Sequence, residues 1–320
     1  MSKANKGWLI AAILFIVIGG VLFAGAMSVL KWDFRKLSTE QMTTEEHAVT
    51  QPYTNIAVIA DTADILFVPS SMGTTVTCYE SEKAKHTVTV NDGVLTITVQ
   101  DRHKWYERIG FGFDTPKITV ALPKQEYGAL TVDSSTGDLT IPSEFSFASV
   151  SVTQSTGDVT SSASVSGSAT IQTSTGRICV KNATVGSLDL VVSTGGVTVS
   201  DMTCRETLTV AVSTGKTVME DVQCRHLLSD GDTGDMTLRN VVVGKTLSIE
   251  RSTGSITFDK CDAAEMVVKT DTGDVKGSLL SDKVFLAQSD TGRVDVPGTT
   301  SGGTCEITTD TGHIHITIEQ

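Results

Sequence analysis

Residues 188–201, Leu-Asp-Leu-Val-Val-Ser-Thr-Gly-Gly-Val-Thr-Val-Ser-Asp, hold two short alternating runs around one glycine corner. Leu188 and Leu190 stand six and four residues before Thr194. Val197 and Val199 stand three and five residues after it. Period-two alternation marks a strand with one buried face. Asp201, seven residues after the threonine, suits a second corner, because Asp and Asn tolerate left-handed backbone and bond their own main chain.

The pattern recurs along most of the chain. Thr-Gly occurs at Thr136, Thr156, Thr175, Thr194, Thr214, Thr233, Thr253, Thr272, Thr291 and Thr311, at spacings of 19 or 20 residues. Ser or Asp precedes each threonine, and an apolar residue follows the glycine by two, with Thr217 as the exception. The second corner carries Asn182, Asp201, Asp221 and Asn240. An antiparallel meander would alternate as well, but it does not require every second turn to carry the same residues. A coil of parallel rungs does, because like residues then stack ~4.8 Å apart. The fold class expected is all-β: a single-stranded parallel β-helix, or β-solenoid, of about ten rungs over 129–320, forming a rod ~48 Å long. Cys204-Arg205 and Cys224-Arg225 fall on adjacent rungs. Ser229 takes an apolar slot in the sixth unit, for which the sequence offers no reason.

Residues 53–128 are related but irregular, and are expected to form first rungs and an N-terminal cap over the open coil end. Val88–Val90 and Val94–Val99, joined by Asn91-Asp92-Gly93, read as a β-hairpin. Before them, residues 7–30 carry no charge, enough for a transmembrane helix behind a cytoplasmic 1–6. Trp8 and Trp32 bracket this segment as interfacial aromatics do. Ala24-Gly25-Ala26 keeps a cleaved signal peptide open as the alternative. Residues 31–52 read as a polar juxtamembrane stalk. Positive charges flank the segment on both sides, so orientation is not fixed by charge; the bulk of the chain is placed extracytoplasmic, as a single-pass cell-membrane protein.

Residues 1–36 hold five Lys/Arg and one acid. Taking these from the totals of 25 and 37 leaves 20 bases and 36 acids, a net charge of −16 for 37–320. Such a surface repels phosphate backbones, so nucleic acid is not an expected partner. In the C-terminal half the corners are acidic: Asp232, Asp235, Asp271, Asp274, Asp290 and Asp310. Stacked carboxylates form a candidate edge for a divalent cation such as Ca²⁺. The plainer reading is that Ser and Asp cap the turns, and no other cofactor is indicated. The six cysteines lack zinc-finger spacing and suit inward filling; if an exported chain forms a disulfide, Cys204–Cys224 is the pair best placed to bridge. His313 and His315 share a strand face, read as a solvated edge. Trp105–Phe113 is the aromatic concentration outside the apolar segment, suited to plugging the coil or to binding a surface. No G-x-S-x-G, H-E-x-x-H or P-loop occurs, so an enzyme is not expected.

Asn55–Val68, then Asn91-Asp92-Gly93-Val94-Leu95-Thr96-Ile97, Ile118–Pro123 and Leu130–Leu139 follow one another in an order that resembles the bacterial putative-adhesin (LiaG-like) family, whose molecular function is unknown. The resemblance covers about residues 45–320. It implies a right-handed β-helix-like fold, a cell-envelope setting, company with envelope-stress or PadR-type regulatory systems, and no catalytic residues. The functions expected are therefore an adhesin-like or scaffold module facing cell-wall glycan or another envelope protein, an accessory of envelope-stress signalling, and, last, a polysaccharide-active β-helix.

Overall fold

The computed structural model describes residues 3–33, 42–101 and 114–319. Its organising element is the glycine of each Thr-Gly corner. These glycines have φ between 132° and 157° from Gly137 to Gly273. They also stand directly over one another. A Cβ built on Gly195 would lie 1.8 Å from the carbonyl oxygen of Gly176, and one on Gly215 only 1.6 Å from that of Gly195. The backbone of one rung therefore occupies the place of the next rung's missing side chain. The threonines pair in register from Thr136 through Thr156, Thr175, Thr194, Thr214, Thr233, Thr253 and Thr272, always in parallel. The second corner is left-handed at Asn182, Asp201, Asp221 and Asn240, as expected, and also at Lys260.

Each rung has three inward-facing segments where two strands were expected. In the rung that follows Gly195 they are Val197/Val199, Met202/Cys204 and Leu208/Val210/Val212, all buried. The third corner lies between Cys204 and Thr207, where the ladder register shifts. It carries no fixed residue, and it absorbs the difference between 19- and 20-residue rungs.

The sixth unit has a physical explanation. Arg251 is fully buried; its Nη2 donates to Thr217 Oγ1 at 3.0 Å and Ser229 Oγ at 3.1 Å. A side chain on Gly231 would collide with Nη1. Two polar residues in apolar slots, Thr217 and Ser229, thus accept from one interior guanidinium, and Gly231 leaves it room.

The ends depart from chain order. At the start, β1 (Met42–Val49), β2 (Asn55–Thr62), β3 (Asp64–Pro69), β4 (Thr74–Ser81), β5 (Ala84–Asn91), β6 (Val94–Asp101), β7 (Lys117–Leu122), β8 (Glu126–Thr136) and β9 (Leu139–Ile141) build the cap. The β2–β3 rung lies between β6–β7 and β8–β9, with all four pairings parallel. β5 and β6 form the expected hairpin, with Asp92 and Gly93 both at positive φ. β1 falls within the segment expected to be stalk. It pairs antiparallel with β4 over eight residues, because Thr43, Glu45 and His47 can lay one face against the cap.

At the other end the Thr311 rung lies between the Thr272 and Thr291 rungs: Gly303–Thr311 pairs with Ile256–Thr272 on one side and Lys283–Thr291 on the other. This corrects simple stacking in chain order. The tucked terminal segment gains a ladder on both edges. The outermost strands become the nine-residue Lys283–Thr291 and the two-residue, exposed Val294–Asp295. Lys283, buried, ties this rung inward by an ion pair to Asp262 at 2.5 Å.

At the N-terminus, α1 (Lys3–Val29) is long and apolar enough to cross a membrane; its Ala11–Val29 segment has mean hydropathy 2.5.

Two measurements follow. An oxidised Asp271→Cys/Asp310→Cys chain forms a disulfide, whereas Asp271→Cys/Asp290→Cys, two rungs apart at ~9.6 Å, does not; the reverse result would restore stacking in chain order. Ser229→Ala lowers unfolding free energy by ~1–3 kcal/mol, while Thr217→Val/Ser229→Val/Arg251→Met melts no lower than the parent, because apolar packing replaces a buried polar network. Calorimetry distinguishes the two variants.

Candidate functional site

The residue after each corner glycine forms a column on the surface. Asp64 Oδ1 accepts the Asp138 N–H, Asp138 Oδ1 the Asp158 N–H, and Asp158 Oδ1 the Arg177 N–H, at 2.8–2.9 Å. The Arg177 side chain returns to Asp158 at 2.6 Å and holds its carboxyl below the usual range. Further along, Asp235 accepts from the Ser255 N–H and Asp274 from the His313 N–H. These carboxylates cap the next rung. The column before the threonine places Asp271, Asp310 and Asp290 on successive rungs, in that order, with Asp232 two rungs from Asp271. Among the described residues, no three of the six acidic corner residues bring ligand atoms within 4.8 Å of one another.

His315 lies on the strand Ile314–Ile318, which is paired on both sides because the Thr311 rung is inserted, and His313 immediately precedes it; both side chains are exposed to solvent, but the strand is not an edge. His313 Nδ1 accepts the Arg293 N–H at 2.9 Å, and His315 Nδ1 meets Asp295 at 3.1 Å. All six cysteines are free thiols. Cys204 and Cys224 are register partners. Burial, more than any neighbouring charge, pushes Cys224 and Cys305 up to about 12 and raises Cys204 and Cys261. Cys179 faces outward at half burial. The Trp105–Phe113 stretch lies outside the described residues.

The sequence reading missed a polar cluster in the cap. On β4 the alternation carries Val76, Cys78 and Glu80 to one buried face. Ser81 and Ala84 close a tight return, and His86 on β5 comes back against them. Glu80 Oε2 accepts the His86 backbone N–H at 2.6 Å and meets His86 Nδ1 at 2.7 Å. Its other oxygen, Oε1, is buried without a partner. Burial, then the charges of Glu80 and Glu45, pushes the Cys78 thiol up to about 12. Across the β1–β4 ladder, Thr43 faces Glu80, Glu45 faces Cys78 and His47 faces Val76; Thr43 Oγ1 and His47 Nε2 are likewise buried without partners. A cavity of about 580 Å³ opens beside them between β1 and β5, lined by His47, Val49, Val88 and Val90. One signal was available: a glutamate at the inward parity of an apolar strand, with a histidine six residues on.

The native chain is expected to give up one thiol, Cys179, to a thiol reagent at neutral pH, and six after denaturation. Equal counts before and after, or fewer than six in denaturant without reductant, would contradict the buried free thiols.

No curated protein matches the chain. Among solved structures, it is similar to a putative adhesin from Parabacteroides distasonis (TM-score 0.45, 15% identity, 87% of this chain and 98% of that one). It is similar also to a putative lipid binding protein from the same organism (0.47, 14%, 88% and 98%) and a putative adhesin from Parabacteroides merdae (0.46, 13%, 88% and 98%). The Toastrack DUF4097 family description matches residues 53–206 and 197–320, the whole of the cap beyond β1 and the whole coil, and the chain belongs to that family.

Proposed function

We propose that this protein is a non-enzymatic cell-envelope module, held to the membrane by α1 and displaying its coil outside as an adhesin-like or scaffold surface. The observation that carries the reading is the joining of two unlike parts. α1 has an apolar composition and an almost wholly exposed apolar surface. Thirteen Cα steps separate Val29, the last helical residue, from Met42, so the cap stands within ~47 Å of the helix end. The cap end of the rod therefore faces the bilayer, and the Thr311 end points away.

The outward rows supply the binding surface. Thr140, Thr160, Thr198, Thr237 and Thr257 share one row of the ladder, interrupted by Cys179 and Val218. Hydroxyls repeated at ~4.8 Å on a rigid, acidic rod suit a hydrated, repetitive partner such as cell-wall glycan. The exposed apolar residues of the coil, such as Leu228, Val242, Val267 and Leu286, form no continuous row in the ladder.

A membrane-impermeant amine reagent on intact cells is expected to modify coil lysines such as Lys216 and Lys245, and purified full-length protein is expected to sediment with isolated cell wall. Modification only after lysis would overturn the placement. Failure to sediment, with capture of a membrane protein instead, would overturn the glycan assignment.

A further inference from the structure

We infer that Cys78, Glu80 and His86 form a zinc site that clasps the cap hairpin to the membrane-proximal end of the coil. Two observations carry it. The thiol, one carboxylate oxygen and one ring nitrogen lie within 4.8 Å of one another, and all three residues are buried. Tetrahedral zinc, with bonds of ~2.0–2.3 Å, needs its ligands ~3.3–3.8 Å apart, so small rotamer shifts on one hairpin complete the set. Glu80 Oε1 is an acceptor with nothing to accept from, in a side chain with no solvent exposure. Such an oxygen is costly to bury unless something compensates it.

Charge supports the same assignment. A thiolate and a carboxylate balance Zn²⁺ with a neutral imidazole, leaving a buried centre of no net charge. On binding, the Cys78 proton leaves to solvent, and a water takes the fourth position. The mixed sulfur, nitrogen and oxygen set selects zinc over calcium or magnesium, which take oxygen ligands. The scaffold is local: Cys78 and Glu80 share one face of β4, and β5 returns His86 within six residues of Glu80. Glu80 Oε2 is held by the His86 backbone N–H at 2.6 Å and meets His86 Nδ1 at 2.7 Å; metal binding replaces the ring contact, and Oε1, without a protein partner, is left for the metal. Thr43, opposite Glu80 with its own unpaired hydroxyl, is placed to orient the bound water.

Full-length protein in detergent, stripped with chelator, is the material for the test. The expected result is one Zn²⁺ retained per chain after gel filtration, and a rise in melting temperature with ZnCl₂ but not with CaCl₂. Co²⁺ is expected to give a thiolate-to-metal band in the near ultraviolet. Cys78→Ala and His86→Ala lose the band, whereas Cys261→Ala keeps it. Glu80→Gln, which preserves shape, weakens Zn²⁺ at least 10-fold and keeps the protein folded if the alanine variants do not. Absence of bound zinc in the parent, a Co²⁺ band surviving in Cys78→Ala, or unchanged affinity in Glu80→Gln would each overturn the site.

Discussion

The contact on which the fold depends is a carbonyl oxygen resting where a side chain would be. At the Thr-Gly corners from Gly157 to Gly273 the glycine of one rung lies so close to the glycine below that any Cβ would overlap its carbonyl. That contact fixes rung spacing and lateral register together. Positive φ at the same residue turns the chain, so one residue type answers two separate demands. Everything inward follows from the register: Val197 over Ile178, Leu208 over Leu188, and one dry interior shared by rungs too small to be stable alone.

That constraint explains which parts were readable. A glycine column leaves a fixed spacing in the sequence, and so do the left-handed corners at Asn182, Asp201, Asp221 and Asn240. The third corner leaves none, because residues 205–207 are where rungs differ in length; three sides were therefore read as two. The inserted Thr311 rung was invisible for the opposite reason. Its residues match the repeat as well as its neighbours do, and a repeat states what a rung looks like without stating which rung it lies beside. Thr217 and Ser229 were seen as irregularities in the sequence and became intelligible only when Arg251, twenty-two residues beyond Ser229, was found reaching back to both. The cap cluster was hidden by the ordinariness of its residues: Cys78, Glu80 and His86 have no metal-motif spacing until the hairpin folds.

The acidic surface is better ordered than its net charge suggests. Asp64, Asp138, Asp158, Asp235 and Asp274 each face the glycine corner of a neighbouring rung, and Arg177, Lys216 and Arg293 are interleaved in the same column. All five of these carboxylates accept a backbone N–H. Charge that would push rungs apart instead helps hold them at their spacing, because each anion sits on a donor belonging to the adjacent turn.

The inserted terminal rung also changes how the rod would meet a load. A coil stacked in chain order peels from its tail one bond at a time. Here a pull on residues 303–318 must shear two parallel ladders at once, and the loop to the outer rung must give way before the tail is free. A rod held at one end and tugged at the other would thus hold by its tail as a bolt holds in a hasp, with rupture spread over many hydrogen bonds in parallel.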